Sequence, residues 1–182
     1  MITEEQLVVE LQSDSQKEQA FRKLVSTYGQ RLYWHIRKMV LDHDDADDVL
    51  QNTFIKVYKH IDSFKADSKL YTWLYRIATN EAINFLNKKS RRSMVAAEEV
   101  QQRALDKLEA DVYFEGDAIQ LALQKAIASL PERQRLVFNM KYFDDLTYEE
   151  LSEILDVSVG GLKSSYHLAV KKIKAFLTQE QQ

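Results

Sequence analysis

Apolar residues recur at intervals of three and four through long windows of this chain, the period at which side chains share one face of an α-helix. Four glycines and one proline among 182 residues leave little punctuation for strands and hairpins. The pattern predicts an all-α fold. Thr3 to Gln12 reads as a short helix, with Thr3 and Gln6 forming a capping box. Ser15 and Glu18 repeat the device before a long helix with core face Phe21, Leu24, Val25, Tyr28, Leu32, Ile36 and Met39. A third helix starts in an acidic run, where Asp44 is the expected cap and Asp45, Asp47 and Asp48 suit the positive end of the helix dipole. Its stripe is Ala46, Val49, Leu50, Phe54, Val57, Tyr58 and Ile61. A loop from Asp62 to Ser68 separates it from a fourth helix, Lys69 to about Lys88. These four helices predict one domain over residues 1–92.

Residues 93–116 carry no core stripe and are rich in Glu, Gln and Asp, which predicts a partly helical acidic linker. A second domain, 117–182, opens with a helix from Asp117 to Leu130 using Ile119, Leu123, Ala126, Ile127 and Leu130. Pro131 suits the first turn of the next helix, Glu132 to Phe143, because an N–H is not needed there. Thr147 followed by Glu150 is again a capping box, with Leu146 and Leu151 as its hydrophobic staple. Ser158 caps a last helix whose inward stripe is Leu162, Tyr166, Ala169, Val170, Ile173 and Leu177. The spacing is that of a helix-turn-helix. The opposite face of the last helix carries Gly160, Lys163, Ser164, His167, Lys171 and Lys174, small at the start and cationic further on, as a helix entering the major groove requires. Alone, such a motif also occurs in helical domains that never touch DNA.

The net charge of -3 argues at first against a nucleic-acid partner. Its distribution reverses that impression, since residues 56–92 hold nine cations against three carboxylates while acid concentrates at 42–48, 98–117 and 144–156. Such segregation suits a protein that meets DNA with some faces and another protein with others. On the fourth helix Thr72, Arg76, Asn80, Asn84 and Lys88 fall at i, i+4 spacing and form a polar stripe. Trp73 lies beside it, and the preceding loop adds Phe64, Lys65 and Lys69. Aromatic rings among cations can stack an unpaired base, although either ring taken alone reads more readily as core.

Enzyme chemistry finds no foothold. The chain lacks cysteine, and His35, His43, His60 and His167 are scattered, so no zinc site is expected. Residues 42–53 superficially resemble a calcium loop, but Asp47 stands where the turn glycine belongs and Thr53 where the closing glutamate belongs. No glycine-rich phosphate loop exists, and no catalytic residue, metal or cofactor is expected. Residues 1–20 are polar and acidic, and no apolar run approaches the roughly 18 residues that cross a bilayer. A cytoplasmic protein without membrane insertion is the expectation.

Four segments in this order, Asp47 to Tyr58, Tyr71 to Asn80, Leu130 to Arg135, and the helix-turn-helix opening Tyr148-Glu149-Glu150-Leu151, make the chain resemble an extracytoplasmic-function (ECF) sigma factor of the sigma-70 family. The resemblance implies a bacterial transcription initiation factor, with sigma domain 2 at 1–92 and sigma domain 4 at 117–182. It would bind core RNA polymerase through Asp48, Gln51 and Phe54, and would meet the -10 element of promoter DNA through Phe64, Lys65, Lys69, Trp73, Arg76, Asn80, Asn84 and Lys88. The -35 element would fall to Ser158, Gly160, Gly161, Lys163, Ser164, His167 and Lys171, and an anti-sigma factor is an implied further partner. One departure stands out. Where many members have Gly-Thr-Val-Lys-Ser-Arg, this chain has Gly160-Gly161-Leu162-Lys163-Ser164-Ser165, so bidentate reading of guanine by that arginine is lost. A stand-alone helix-turn-helix regulator is the second reading, and a helical adaptor that binds only proteins the third.

Overall fold

The computed structural model describes residues 3–92 and 118–179; the linker at 93–116 lies outside them. Among the described residues the chain is all-α, with eight helices, one 3-10 turn and no strand. It divides into two compact units, Met1–Phe85 and Leu86–Gln182.

The first unit opens with α1 (Glu4–Leu11), whose predicted capping box is formed by Gln6 N donating to Thr3 Oγ1 at 3.2 Å and Thr3 N to Gln6 Oε1 at 3.1 Å. The box expected at Ser15 is absent. The Ser15 hydroxyl pairs with that of Ser13 at 3.2 Å, and α2 (Lys17–Val40) begins after Gln16 with no side-chain cap. The reason is local: Gln16 N and Lys17 N both bond back to Ser13 O, which winds the cap residue into αR, whereas a capping side chain needs an extended cap residue. At the other end of α2, Leu41 takes a left-handed φ of 61° and turns the chain so that Asp42 is the next extended residue. Asp42, two positions before the expected Asp44, therefore caps α3 (His43–His60) by accepting from Asp45 N at 3.1 Å.

A 3-10 turn, Ile61–Ser63, leads to α4 (Leu70–Arg92). The core takes Leu24, Leu32, Ile36 and Met39 from α2, Ala46, Val49 and Val57 from α3, and Leu70, Leu74, Tyr75, Ala78 and Ala82 from α4, all buried. Polar residues enter it paired, Thr72 excepted. His35, 1% exposed, has Nε2 at 2.9 Å from Thr79 Oγ1 and its ring 4.8 Å from that of Tyr75, while buried Thr53 donates to Val49 O at 2.8 Å. Several expected stripe members fall outside the buried core: Tyr58 is exposed and Phe21, Val25, Tyr28, Leu50 and Phe54 are half-buried, with Tyr58 and Phe54 meeting Phe21 edge to face at centroid distances of 5.0 and 6.1 Å. Phe64 goes the other way, since its ring is 7% exposed and packs 5.2 Å from Trp73.

In the second unit α5 (Ala118–Ala128) contributes Ala126 and Ile127 to a core completed by Leu130, Phe138, Ala169 and Ile173. Ile119, expected there, is 82% exposed, because it lies in the first turn of α5, two turns before the packed alanine. Pro131 occupies the cap position of α6 (Glu132–Tyr142) rather than its first turn. The Arg135 guanidinium reaches back from α6 to donate to Ala128 O at 3.3 Å, a cation at a helix C-terminus. α7 (Tyr148–Leu155) carries both bonds of the Thr147–Glu150 box, with Leu146 and Leu151 buried as the staple. Asp156 ends α7 in the left-handed region at φ 53°, where a short polar side chain is tolerated, and Ser158 Oγ then accepts from Gly161 N at 3.3 Å to start α8 (Val159–Gln179).

Two stability predictions follow from this packing. Phe64→Ala should cost about 3–5 kcal/mol, as aromatic truncation in a core does, whereas neighbouring Lys65→Ala should stay within about 0.5 kcal/mol. Urea unfolding of both variants reads the contrast, and equal effects would contradict the buried ring. Thr147→Ala should remove about 0.5–2 kcal/mol from the second unit by abolishing the cap, seen as a lower midpoint in its thermal unfolding and not in that of the first unit.

Candidate nucleic-acid interface

Rotation of α4 about its axis is set by its buried side, and the consequence is a polar stripe on the other. Arg76, Asn80, Asn84 and Lys88 are all exposed. Thr72, expected to begin the stripe, does not belong to it: it is 3% exposed, and its hydroxyl oxygen meets no hydrogen-bond partner among the described residues. Trp73 is half-buried beside the stripe, with Phe64 behind it. Lys65 and Lys69 are exposed, and Lys69 Nζ lies 5.4 Å from the centre of the Tyr71 ring. The loop between the 3-10 turn and α4 contains Ala66 at φ 57°, a left-handed conformation that a residue with a Cβ holds only when its surroundings impose it.

Those surroundings include side chains that periodicity alone did not single out. Gln12, at the C-terminal cap of α1, donates through Nε2 to Ile61 O at 3.1 Å and Phe64 O at 2.8 Å. Glu4 Oε1 accepts from Leu70 N, the first residue of α4, at 2.6 Å. Glu4 Oε2 lies 3.4 Å from the Tyr28 hydroxyl, which burial first, then the Glu4 charge and hydrogen bond, keep protonated above its ordinary range. Lys17 Nζ pairs with Asp62 Oδ2 at 2.6 Å. No local sequence signal marks these contacts, which join residues 24 to 66 positions apart.

On α3, Asp48 and Gln51 are exposed and Phe54 is half-buried. Sequence reasoning missed Ile55, 46% exposed, which together with Tyr58 adds apolar surface to that helix.

In the second unit, Ser158, Gly160, Lys163, Ser164, His167 and Lys171 are exposed and Gly161 is half-buried. Space around Gly160 is open, so that turn of α8 is bare backbone, whereas a Cβ on Gly161 would come within 3.3 Å of Ser158 Oγ. The Ser164 hydroxyl donates to Gly160 O at 3.0 Å, leaving its oxygen lone pairs to accept from outside. Lys163 Nζ stands 5.6 Å from the centre of the Tyr148 ring, which Lys141 Nζ approaches at the same distance. Tyr148 was not among the expected site residues; it becomes one only when the start of α7 meets the start of α8. Among the described residues no group of three or more His, Asp or Glu side chains is placed to hold a metal, and no helix is long and apolar enough to cross a membrane.

Known proteins share this arrangement. Residues 24–92 match Sigma-70 region 2, and residues 120–173 match Sigma-70, region 4. The ECF RNA polymerase sigma factor SigW of Bacillus subtilis (strain 168) is 35% identical over 156 residues, covering 81% of this chain and 83% of that protein. The ECF RNA polymerase sigma-E factor of Escherichia coli (strain K12) is 35% identical over 178 residues, 90% of this chain and 88% of that protein. Two solved structures share the fold at 21% identity. CnrH in complex with the cytosolic domain of CnrY has a TM-score of 0.71 and 97% coverage of both chains. The sigma factor RpoE of Bartonella quintana, with the anti-sigma factor NepR, has a TM-score of 0.68, with 87% of this chain and 96% of that one covered. With both regions in order and identity of this extent along the chain, the protein belongs to the ECF sigma factors of the sigma-70 family, which direct RNA polymerase to specific promoters.

Proposed function

We propose that this chain, as a transcription initiation factor acting in the cytoplasm without a catalytic site of its own, divides its work among three faces. The exposed row Asp48 and Gln51 on α3, with Phe54 half-buried beside it, docks on core RNA polymerase. Lys65, Lys69, Trp73, Arg76, Asn80, Asn84 and Lys88 meet the -10 element, with buried Phe64 supporting the Trp73 ring from behind rather than meeting a base itself. Ser158 to Lys171 on α8 meets the -35 element in the major groove, where Gly160, Gly161, Lys163, Ser164 and His167 lie nearest the base edges. The observation that carries this reading is the exposed stripe Arg76, Asn80, Asn84 and Lys88, which core packing does not consume, on the helix matched to Sigma-70 region 2. The assignment of 1–92 and 117–182 as the two working domains, joined through 93–116, belongs to the same proposal. Both structural neighbours were solved with a second protein bound, which for RpoE is the anti-sigma factor NepR, and an anti-sigma factor is the corresponding partner proposed here.

Asn80 is proposed to contact bases and Lys163 to contact duplex, so the two should fail differently. Losing a base contact typically costs about 1–3 kcal/mol and relaxes specificity locally, whereas losing a phosphate contact weakens all sequences alike. On duplex promoters both Asn80→Ala and Lys163→Ala holoenzymes should lose activity. On a fork template already open at the -10 element Lys163→Ala should be largely rescued and Asn80→Ala should not. The reverse pattern would mean that the two units are assigned to the wrong ends of the promoter, and duplex binding by the chain alone at holoenzyme strength would favour a stand-alone regulator.

Docking is tested with Asp48→Ala combined with Gln51→Ala, since both side chains are exposed and the fold should survive. Co-purification with core polymerase should fall while circular dichroism stays unchanged. Wild-type recovery of the folded double variant would remove α3 from the docking surface.

A further inference from the structure

The segment from Glu4 to Lys17 touches the proposed -10 loop at both of its ends, and each contact is a side chain bonding to loop backbone or to a loop charge. Gln12 spends both amide hydrogens on the carbonyls of Ile61 and Phe64, where the 3-10 turn passes into the loop. Lys17 holds Asp62 in the same turn. Glu4 closes the far end, its carboxylate accepting the Leu70 N–H at 2.6 Å where the positive end of the α4 dipole needs an anion. Between these anchors lie Lys65, Lys69 and the left-handed Ala66. A loop tethered only by its own residues would sample many conformations, each with its cations in different places. One bonded to a separate helix at both ends is held to few.

We propose that α1 is a brace for the -10 loop, and that Glu4 and Gln12 are positioning residues that set how sharply the loop discriminates among -10 bases. The inference rests on the assignment of the 61–70 loop to the -10 element. Neither residue touches DNA in this proposal. They act by fixing Phe64, and through it Trp73, and by fixing where α4 begins.

The polarity of each bond makes the test specific. Glu4→Gln keeps an oxygen that accepts from Leu70 N–H, so it should retain most discrimination, whereas Glu4→Ala should not. Gln12→Glu keeps the shape of the side chain but cannot donate and sets a carboxylate against two carbonyls, so it should behave no better than Gln12→Ala. Each full-length variant is assembled with core polymerase, and binding is measured to fork templates carrying the preferred -10 sequence or single-base changes in it. Loss of one net hydrogen bond corresponds to about a two- to tenfold reduction in the ratio of preferred to altered template. Affinity for core polymerase should not change. Leu24→Ala, a core truncation that removes none of the loop-anchoring bonds, supplies a control for general destabilisation. Lys65→Ala, an exposed loop change, tests the underlying assignment separately.

If Lys65→Ala changes -10 binding while Glu4→Ala and Gln12→Ala leave the template ratio at wild type, or shift it no more than Leu24→Ala does, the brace is refuted and the loop assignment stands. If Lys65→Ala also has no effect, the loop assignment falls and the brace with it. Rescue by Glu4→Gln without rescue by Gln12→Glu is the supporting result.

Discussion

Burial of one side of α4 determines what its other side can do. Leu74, Ala78 and Ala82 are fully buried. The His35–Thr79 hydrogen bond adds a directional lock, because turning α4 by one residue, about 100° for a 3.6-residue period, would break it inside the core. Such a turn would also carry Asn80 towards the interior, where an unpaired amide costs roughly 1–3 kcal/mol by mutational measures. The exposed stripe from Arg76 to Lys88 is therefore presented in a single register. Thr72 marks the limit of that register: at 3% exposure it is on the wrong side to join the stripe, although i, i+4 spacing alone would include it.

The second unit reaches a similar end by different means. Its helix-turn-helix is fixed by local devices, with the Thr147 box and the Leu146–Leu151 staple before α7, Asp156 in the left-handed turn and Ser158 starting α8. On that frame Tyr148 stands where Lys141 and Lys163 both approach its ring. An exposed cation–π contact contributes about 0.5–1 kcal/mol, enough to bias where the Lys163 ammonium rests and too little to prevent its leaving for a phosphate. Without an arginine at the position of Ser165, α8 has no planar fork for guanine. The groups proposed to face the -35 element are the ammoniums of Lys163 and Lys171, one imidazole and hydroxyl oxygens, a set better suited to positioning on the backbone and to groove shape than to bidentate base reading.

What was legible in the sequence divides by the range of the interaction. The capping boxes at Thr3 and Thr147, the staple and the Ser158 cap are i to i+3 or i+5 patterns, and the chain forms them as the residues predict. The box at Ser15 and the cap at Asp44 carried the same local signal and lost, each to a backbone turn, at Ser13 and at Leu41, whose cause lies just outside the motif. Ile119 had the right period but lies a turn too early on α5 for the core. Least legible were His35 with Thr79, Glu4 with Leu70 and Gln12 with Phe64, which are 44, 66 and 52 residues apart. No periodicity announces a partner at that distance. These polar contacts hold the exposed stripe and its loop in place, so the candidate interface was legible as a set of side chains while the means of fixing its shape was not.

Energetic proportion explains why such a protein works only in company. Opening duplex DNA forfeits on average about 1.4 kcal/mol per base-pair step, and stacking one captured base on an aromatic ring returns roughly 1–3 kcal/mol. Of the two rings expected to stack a base, Phe64 is spent in the core and Trp73 is half-buried, so that pair supplies one partly available ring. One ring offsets the opening of one or two steps. The exposed amides and cations of α4 are proposed to add discrimination and backbone grip, but each is solvated beforehand, and its net gain on contact is reduced by the water it gives up. Melting a whole element must therefore draw on the polymerase to which α3 is proposed to bind. What this chain is proposed to add is selectivity: a rigidly registered row of hydrogen-bonding groups that would favour one unpaired strand over another once the larger enzyme has supplied the energy to open it.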